Sequence, residues 1–352
     1  MTAIGAVILS GVMAWLSFRY VERPFRLNHS HGFGRPFIFR ASIISLAVMV
    51  SAGWFLYAFD GLPTRLPTGV STLAAFAQDR NPRREECFRR SPSEGLCAIG
   101  LPSKDGEQVD FLFWGDSHAD AIMPGMDLAA KSAGQRGVFA GKDGCPPLIH
   151  VERFSNGDTC TSDFSEEIWA WLKSRPDVQL VVLGARWPLN VEGTRPKGEA
   201  GTDVRLKWTG DHMRNLDKAD NAELVETGLR ETVAAISATG RQVVLLGPVP
   251  EIGRDVPNNL ARAALFGWTP GPLLTRREYD ARAGRTEQIL SHLAETNKRV
   301  HYLSLTDLFC DQRYCRVKSP EGFPLYVDSN HIGRTAAQSV LAPRLGDIWK
   351  RY

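Results

Sequence analysis

The residues best placed to do chemistry are Gly115-Asp116-Ser117-His118 and, near the other end of the chain, Asp328-Ser329-Asn330-His331. The first group follows Val109-Asp110-Phe111-Leu112-Phe113-Trp114, which is largely apolar and β-favouring, and precedes a helical pattern over 119–133. This order predicts a buried strand, a sharp turn and a helix with Ser117 at or near its N-terminus. A hydroxyl held there lies beside unpaired backbone N–H groups and the positive end of the helix dipole. Such donors stabilise the oxyanion formed when the hydroxyl attacks an acyl carbon. Helix capping is the competing role for a serine at such a turn. The second group supplies what a bare serine lacks. A hydroxyl is a weak nucleophile until a base takes its proton, and the base needs a third group to fix its tautomer. An Asp three residues before a His, on a turn entering a helix, reaches the other ring nitrogen. The pattern nominates Ser117 as nucleophile, His331 as base and Asp328 as its orienting partner.

Gly-Asp-Ser and Asp-x-x-His resemble the first and last blocks of the SGNH hydrolase/acyltransferase superfamily, and the resemblance implies the same three roles. It also implies an oxyanion hole completed by a Gly in a second block and an Asn in a third. The second block belongs after the strand expected at 137–140, where Gly141 and Gly144 are candidates and Cys145-Pro146-Pro147 suits a rigid turn. The third belongs after the strand expected at 178–183, where a relative would show Gly-x-Asn. This chain has Gly184-Ala185-Arg186-Trp187. Three readings stand: Arg186 donates to the oxyanion through its guanidinium, Asn190 folds back to do so, or Arg186 binds an anionic or hydroxyl-rich acceptor. Gly-x-Arg-Trp resembles the variant third block of SGNH domains attached to acyltransferase family 3 membrane domains, which favours Arg186. His118 is a rival base, expected instead to line the pocket because adjacent side chains at a helix start diverge. Asp116 is expected to brace the turn through backbone N–H groups. Trp187, Trp208 and Trp268 are candidates for stacking on a sugar ring, and core packing is the competing role of each.

Positioning these groups requires an alternation of strands and helices. The pattern gives strand 109–114, helix 119–133, strand 137–140, helix 163–174, strand 178–183 and helix 220–238. It continues with strand 242–247, helix 276–297, strand 299–304 and helix 332–349. Such alternation implies an α/β domain, a parallel sheet with helices on both faces, with reactive groups at the carboxyl ends of the strands. The resemblance makes that fold SGNH-hydrolase-like, of the flavodoxin-like kind. Two long interruptions, 184–216 and 248–275, follow strand ends on the Ser117 edge and are expected to wall the acceptor site.

The 352 residues suffice for one large α/β domain plus an appendage, and a net charge of +3 leaves no nucleic-acid footprint. Six cysteines form three local pairs, Cys87/Cys97, Cys145/Cys160 and Cys310/Cys315. Six allow fifteen connectivities, and proximity favours the sequential one. With no CxxC spacing and no Cys-His cluster, no metal site is expected, whereas disulfides suit an oxidising compartment.

Residues 3–18 are apolar and end in Arg19; residues 41–59 are uncharged and long enough to cross a bilayer. Two transmembrane helices are therefore expected to precede the catalytic domain. A signal peptide is rejected for the first, which lacks a basic n-region and a small-residue cleavage site. The intervening Arg19, Arg23, Arg26, Arg35 and Arg40 face only Glu22, so this loop is expected in the cytoplasm and everything after Asp60 outside it. Tyr20-Val21-Glu22-Arg23-Pro24-Phe25-Arg26 resembles the Tyr-x-Glu-x-Pro-Phe signature of acyltransferase family 3 proteins. The expected organisation is the end of such a membrane domain over 1–40, a transmembrane helix over 41–59, a periplasmic linker over 60–105 that packs partly on the domain, and an SGNH-like catalytic domain over 106–352. Most of that family's membrane domain has no counterpart, which is read as a fragment, a truncated gene or a half working with a separately encoded membrane partner. The resemblance implies a bacterial inner-membrane protein moving an acetyl group to a cell-surface polysaccharide such as lipopolysaccharide O-antigen. The catalytic domain is expected to bind no cofactor itself, the donor acetyl-CoA being used by a membrane domain. A carbohydrate esterase and a non-catalytic glycan-binding domain are the alternatives.

Overall fold

Burial along Phe111–Gly115 shows how the chain is layered: every residue is inside, Phe111 and Phe113 on one face and Leu112 and Trp114 on the other. A strand buried on both faces needs helices on both faces. The computed structural model describes residues 3–23, 35–59, 61–62, 66–102, 108–155, 158–210, 219–271 and 273–351. It forms two units, Met1–Arg65 and Leu66–Tyr352.

The first unit holds α1 (Ala3–Leu16), a π-helical turn (Ser17–Glu22) and α2 (Arg35–Ala58). Within α2, the 23 residues from Pro36 to Ala58 include an 18-residue stretch with a mean hydropathy of 1.8, none of it buried. This is long and apolar enough to cross a bilayer, which takes about 20 residues. The 14 residues of α1 are not, so the described residues hold one of the two expected spans. Pro24, Phe25 and Arg26, the end of the Tyr20–Arg26 motif, lie outside the described residues.

In the second unit, α3 (Thr68–Ala75) is followed by β1 (Cys97–Gly100), β2 (Phe111–Gly115) and α4 (Ser117–Ser132). Then come β3 (Arg136–Gly141), β4 (Val151–Ser155), β5 (Asp158–Cys160), α5 (Asp163–Lys173) and β6 (Leu180–Gly184). After these lie α6 (Trp187–Glu192), β7 (Arg205–Trp208), α7 (Asn221–Ala238) and β8 (Gln242–Leu246). The chain closes through α8 (Val256–Phe266), β9 (Leu274–Thr275), α9 (Arg276–Thr296), β10 (Val300–Leu303) and β11 (Tyr314–Cys315). The central sheet has the order β1-β3-β2-β6-β8-β10. Its last five strands are parallel and in flavodoxin-like succession, while β1 runs antiparallel to β3. The sheet is thus mixed rather than wholly parallel. One core packs α4, α8 and the C-terminal helical run on one face; the other packs α5, α7 and α9 on the opposite face.

Three further expectations are corrected. Residues 60–105, expected as a linker packing partly on the domain, are more fully part of it: from Leu66 the chain belongs to the second unit, α3 packs on α8, and β1 is the sheet edge. The 184–216 interruption contains α6 and β7, the latter part of a small β5-β4-β7 sheet, and 248–275 contains α8. Residues 211–218 of the first interruption lie outside the described residues. The last helix is not continuous but divides into Arg334–Ala336, a π turn Ala337–Leu341 and Ala342–Gly346. That turn lies against α4, where a Cβ on Gly125 would fall 2.3 Å from the Ala337 carbonyl oxygen. The disulfides Cys87–Cys97, Cys145–Cys160 and Cys310–Cys315 pair sequentially, as proximity suggests.

Gly115 is paired in register with Gly141 on one side and Gly184 on the other. A Cβ on Gly115 would lie 1.8 Å from the Gly184 carbonyl oxygen and 2.5 Å from Ala119 Cβ, so backbone must move to admit any side chain. Gly115→Ala is expected to cost about 3 kcal/mol or more, the upper range for overpacking, and to lower the thermal midpoint. An unchanged midpoint would contradict this close approach.

Candidate active site

Three strand ends meet at the carboxyl edge of the sheet, and each delivers one part of the site. After β2, Asp116 caps α4: its Oδ1 accepts the His118 N–H at 2.8 Å and its carbonyl accepts the Asp120 N–H at 3.0 Å. The cap is therefore Asp116 and not Ser117. Ser117 takes the first helical position, where its N–H has no intrahelical acceptor. Oδ2 of Asp116 accepts the Arg186 N–H at 2.8 Å, joining the turns after β2 and β6. Burial pushes the Asp116 carboxyl up from its ordinary value, and the two N–H donors work against that shift.

Ser117 and His331 are 214 residues apart in sequence, yet Ser117 Oγ lies 3.0 Å from His331 Nε2. His331 Nδ1 lies 2.8 Å from Asp328 Oδ2. Oδ1 of Asp328 accepts the backbone N–H of Asn330 at 2.9 Å and of His331 at 2.8 Å, and the Val327 N–H donates to the His331 carbonyl at 3.0 Å. The tight turn itself thus aims the carboxylate at the ring. Burial would raise the Asp328 carboxyl, but the His331 hydrogen bond and charge and the two backbone donors outweigh it and hold it well below the usual range. An ionised carboxylate only accepts, so His331 carries its proton on Nδ1 and offers Nε2 to the Ser117 hydroxyl. The three nominated residues are brought together in the order a serine nucleophile needs.

A cavity of about 190 Å³ on one side of Ser117 and His331 is lined by Gly144, Arg153, Arg186 and Asn190, among others. Gly144 has φ +60°, a conformation that calls for glycine, and the end of the Arg153 side chain lies against it. Gly141 is instead the last residue of β3, its carbonyl taking the Arg89 N–H at 2.7 Å. Between the two candidates, Gly144 faces the cavity. The Arg186 guanidinium is engaged: Nη1 and Nη2 donate to Glu199 at 2.9 and 2.7 Å, and Nε donates to Glu251. Three of its five N–H groups are thus committed to carboxylates. Asn190 is buried in α6, donates through Nδ2 to the Arg186 carbonyl at 3.1 Å, and has an amide oxygen with no partner among the described residues.

Two other expectations change. His118 does not line either cavity beside Ser117; it is buried behind His331, ring centroids 4.8 Å apart, with Nε2 2.9 Å from Asn330 Oδ1. Asn330 Nδ2 faces the Glu199 carboxylate at 3.2 Å, which fixes the amide and makes His118 Nε2 the donor. Its place beside the nucleophile is too deep for a base that must exchange protons with a substrate. Trp187 is wholly buried, donating to the Leu246 carbonyl at 3.1 Å, and Trp208 is buried with its N–H on the Gly210 carbonyl. Of the three tryptophans, Trp268 alone is exposed.

No residue pattern announces a second cavity, about 110 Å³, on the other side of Ser117. Its walls include Arg80, Asn81, Arg84 and Asp120. Asn81 donates to Asp120 at 2.7 Å, and Arg84 bridges Asp120 and Asp143. A helix places residues i and i+3 on one face, which would have flagged Asp120 beside Ser117. No periodic signal marks Asn81 or Arg84, which lie in the stretch expected to be a linker.

A family model described as the SGNH domain (fused to AT3 domains) matches residues 82–343. The chain belongs to that family. Among solved structures it is similar to the periplasmic domain of a lipopolysaccharide acetyltransferase from Salmonella ser. Paratyphi A. That match has 18% identity and a TM-score of 0.50, covering 80% of this chain and 97% of the other. At such identity the likeness establishes the SGNH-hydrolase-like fold. A looser match is a GDSL-like lipase from Bacteroides thetaiotaomicron, at 10% identity and a TM-score of 0.36, covering 71% and 92%. No curated protein sequence matches the chain.

Burial and the neighbouring His331 hold His118 well below its ordinary value of 6.5. The unfolded chain therefore binds this proton more readily, and stability is lost as pH falls below about 6.5. His118→Asn keeps a donor for Asn330 without titrating. The loss in urea midpoint between pH 7.5 and pH 5 is expected to be smaller in that variant than in the wild type. Equal losses would show that His118 is not held neutral.

Proposed function

We propose that the chain is a membrane-anchored periplasmic O-acyltransferase that carries an acyl group, acetyl in the first instance, through Ser117 to a hydroxyl of a cell-surface polysaccharide. The observation that carries this reading is the Ser117–His331–Asp328 chain of hydrogen bonds at the start of α4, open to cavities on both sides. In the first half-reaction His331 Nε2 takes the hydroxyl proton as Ser117 Oγ attacks the acyl carbon. The tetrahedral oxyanion is met by the N–H of Ser117 and of Gly144, with the Asn190 amide as a side-chain donor. His331 then gives its proton to the leaving group and an acyl-serine remains. In the second half, an acceptor hydroxyl loses its proton to Nε2 and attacks the ester; collapse frees Ser117 and the acylated sugar.

Asn190 suits the third-block role better than Arg186, whose guanidinium is bound to Glu199 and Glu251. A buried amide with an unspent N–H and an unpaired oxygen is a polar group in want of a ligand. Transfer rather than hydrolysis is supported by the family, a domain fused to AT3 membrane domains, and by the Tyr20–Phe25 motif. The description of the Salmonella domain supports acetyl as the group and lipopolysaccharide as an acceptor. The apolar helix Pro36–Ala58 supports anchoring, and three disulfides support an oxidising compartment outside the cytoplasm. The acyl donor, acetyl-CoA, would be used on the far side of the membrane by a separate membrane domain. The reading assigns no metal or cofactor to the SGNH domain.

The test is p-nitrophenyl acetate turnover by the full chain in detergent, with and without an oligosaccharide acceptor. Ser117→Ala and His331→Ala are expected to fall to background, and acetylated sugar is expected by mass spectrometry in the wild type alone. Release that no acceptor alters would make the protein an esterase, and no release above Ser117→Ala would leave a glycan-binding domain. Separately, Asn190→Ala is expected to lower kcat about 10²–10³-fold, as loss of one oxyanion donor does. A smaller effect there than in Arg186→Lys would return the role to Arg186.

A further inference from the structure

Beyond Arg186 lies a larger cavity, about 470 Å³, within the range of small-molecule sites. Arg195 lines both this cavity and the one beside Ser117, so the two adjoin. Its other walls include Lys197, Glu251, Arg254, Glu278 and Arg282. The charges do not balance. Arg186, Arg195 and Arg282 share two carboxylates, Glu199 and Glu251. Lys197 and Arg254 add two positive charges against Glu278 alone. Neither forms an ion pair among the described residues, and both are exposed. Glu278, whose carboxyl is held down first by its Thr275 hydrogen bonds, feels both cations.

Two glycines bring these cations together. Gly198 has φ +96°, and a Cβ on it would lie 2.9 Å from the Gly253 carbonyl oxygen. Gly253 has φ +73°, and a Cβ on it would lie 2.5 Å from the Lys197 carbonyl oxygen. The 184–216 and 248–275 stretches therefore touch backbone to backbone where they present Lys197 and Arg254. The second stretch also holds the base: the Ile252 and Gly253 N–H groups donate to the Ser329 carbonyl at 2.8 and 3.0 Å, and Val256 donates to the Asp328 carbonyl at 3.2 Å. A ligand lodged between the two stretches would rest on the same backbone that carries His331.

We infer that this cavity is an acceptor subsite for an acidic sugar, one bearing a carboxylate or a phosphate, next to the sugar acylated at Ser117. The inference rests on the glycan-acceptor reading for the nature of the ligand, not for where it binds. Two unpaired cations, beside walls in which three arginines share two carboxylates, favour an anion over a neutral ring. Arg195, spanning both cavities, would lie between the reacting sugar and its acidic neighbour.

The test is calorimetric titration of this chain in detergent with three probes: a hyaluronan hexasaccharide, glucose 6-phosphate and neutral chitohexaose. At least one acidic probe is expected to bind more tightly than chitohexaose and to weaken as salt rises from 0.05 to about 0.5 M. Whichever acidic probe binds better names the anionic group. Lys197→Glu and Arg254→Glu together are expected to raise its Kd about tenfold or more. Both side chains are exposed, and an unchanged thermal midpoint confirms that the variant is folded. Equal binding of acidic and neutral probes, or an affinity indifferent to the double reversal, would overturn the inference. Wild-type p-nitrophenyl acetate turnover, run in parallel, reports on Ser117 alone; its absence with acidic binding intact would sink the catalytic reading and leave the subsite standing.

Discussion

One buried carboxylate holds the site in register. Asp116 spends one oxygen on the N–H of His118, at the start of α4, and the other on the N–H of Arg186, at the start of α6. Those helices follow β2 and β6, neighbouring strands whose last residues, Gly115 and Gly184, are paired. A buried, partly desolvated acid is expensive, and its hydrogen bonds to two backbone donors offset that cost while fixing the distance between the turns. Ser117 and the Arg186–Asn190 segment are thereby set against each other. The aligned glycines Gly141, Gly115 and Gly184 make the arrangement possible. With no side chains along this row, the strand ends and the start of α4 approach closely and the cleft opens directly above them.

What was legible in the sequence follows from how local each signal is. Ser117 sits in a strand–turn–helix whose period changes within a few residues. Asp328 and His331 lie three apart on one turn, so their spacing already contains their hydrogen bond. The disulfides close short loops, and proximity sufficed. The inner strands β2, β6 and β8 are nearly continuous apolar runs, as strands buried on both faces must be, whereas the edge strand β10 is marked by its place in the alternation of strands and helices.

The rest depends on contacts between segments far apart in sequence. Arg186 looked like a spare donor because Glu199 and Glu251 lie in interruptions with no periodicity to place them. His118 and Trp187 sit at helix starts whose inward direction is set by tertiary packing. Asn81 and Arg84 come from a stretch of short turns and helical pieces that reads as linker, although α3 and β1 show it to be part of the domain. The antiparallel β1 was missed for the same reason: four residues carry too little pattern to separate a strand from a loop.

The loop bearing His331 is tied to four distant places. Asp79 receives the N–H groups of Arg334 and Thr335, Ile252 and Gly253 donate to Ser329, Glu199 meets Asn330, and His118 meets the same amide. All of these partners precede it in the chain. During synthesis Ser117 therefore emerges long before His331, and His331 finds its place only once those earlier anchors are folded. The hydrogen bond between Ser117 and His331 is thus absent through most of assembly and is made by a segment that arrives late.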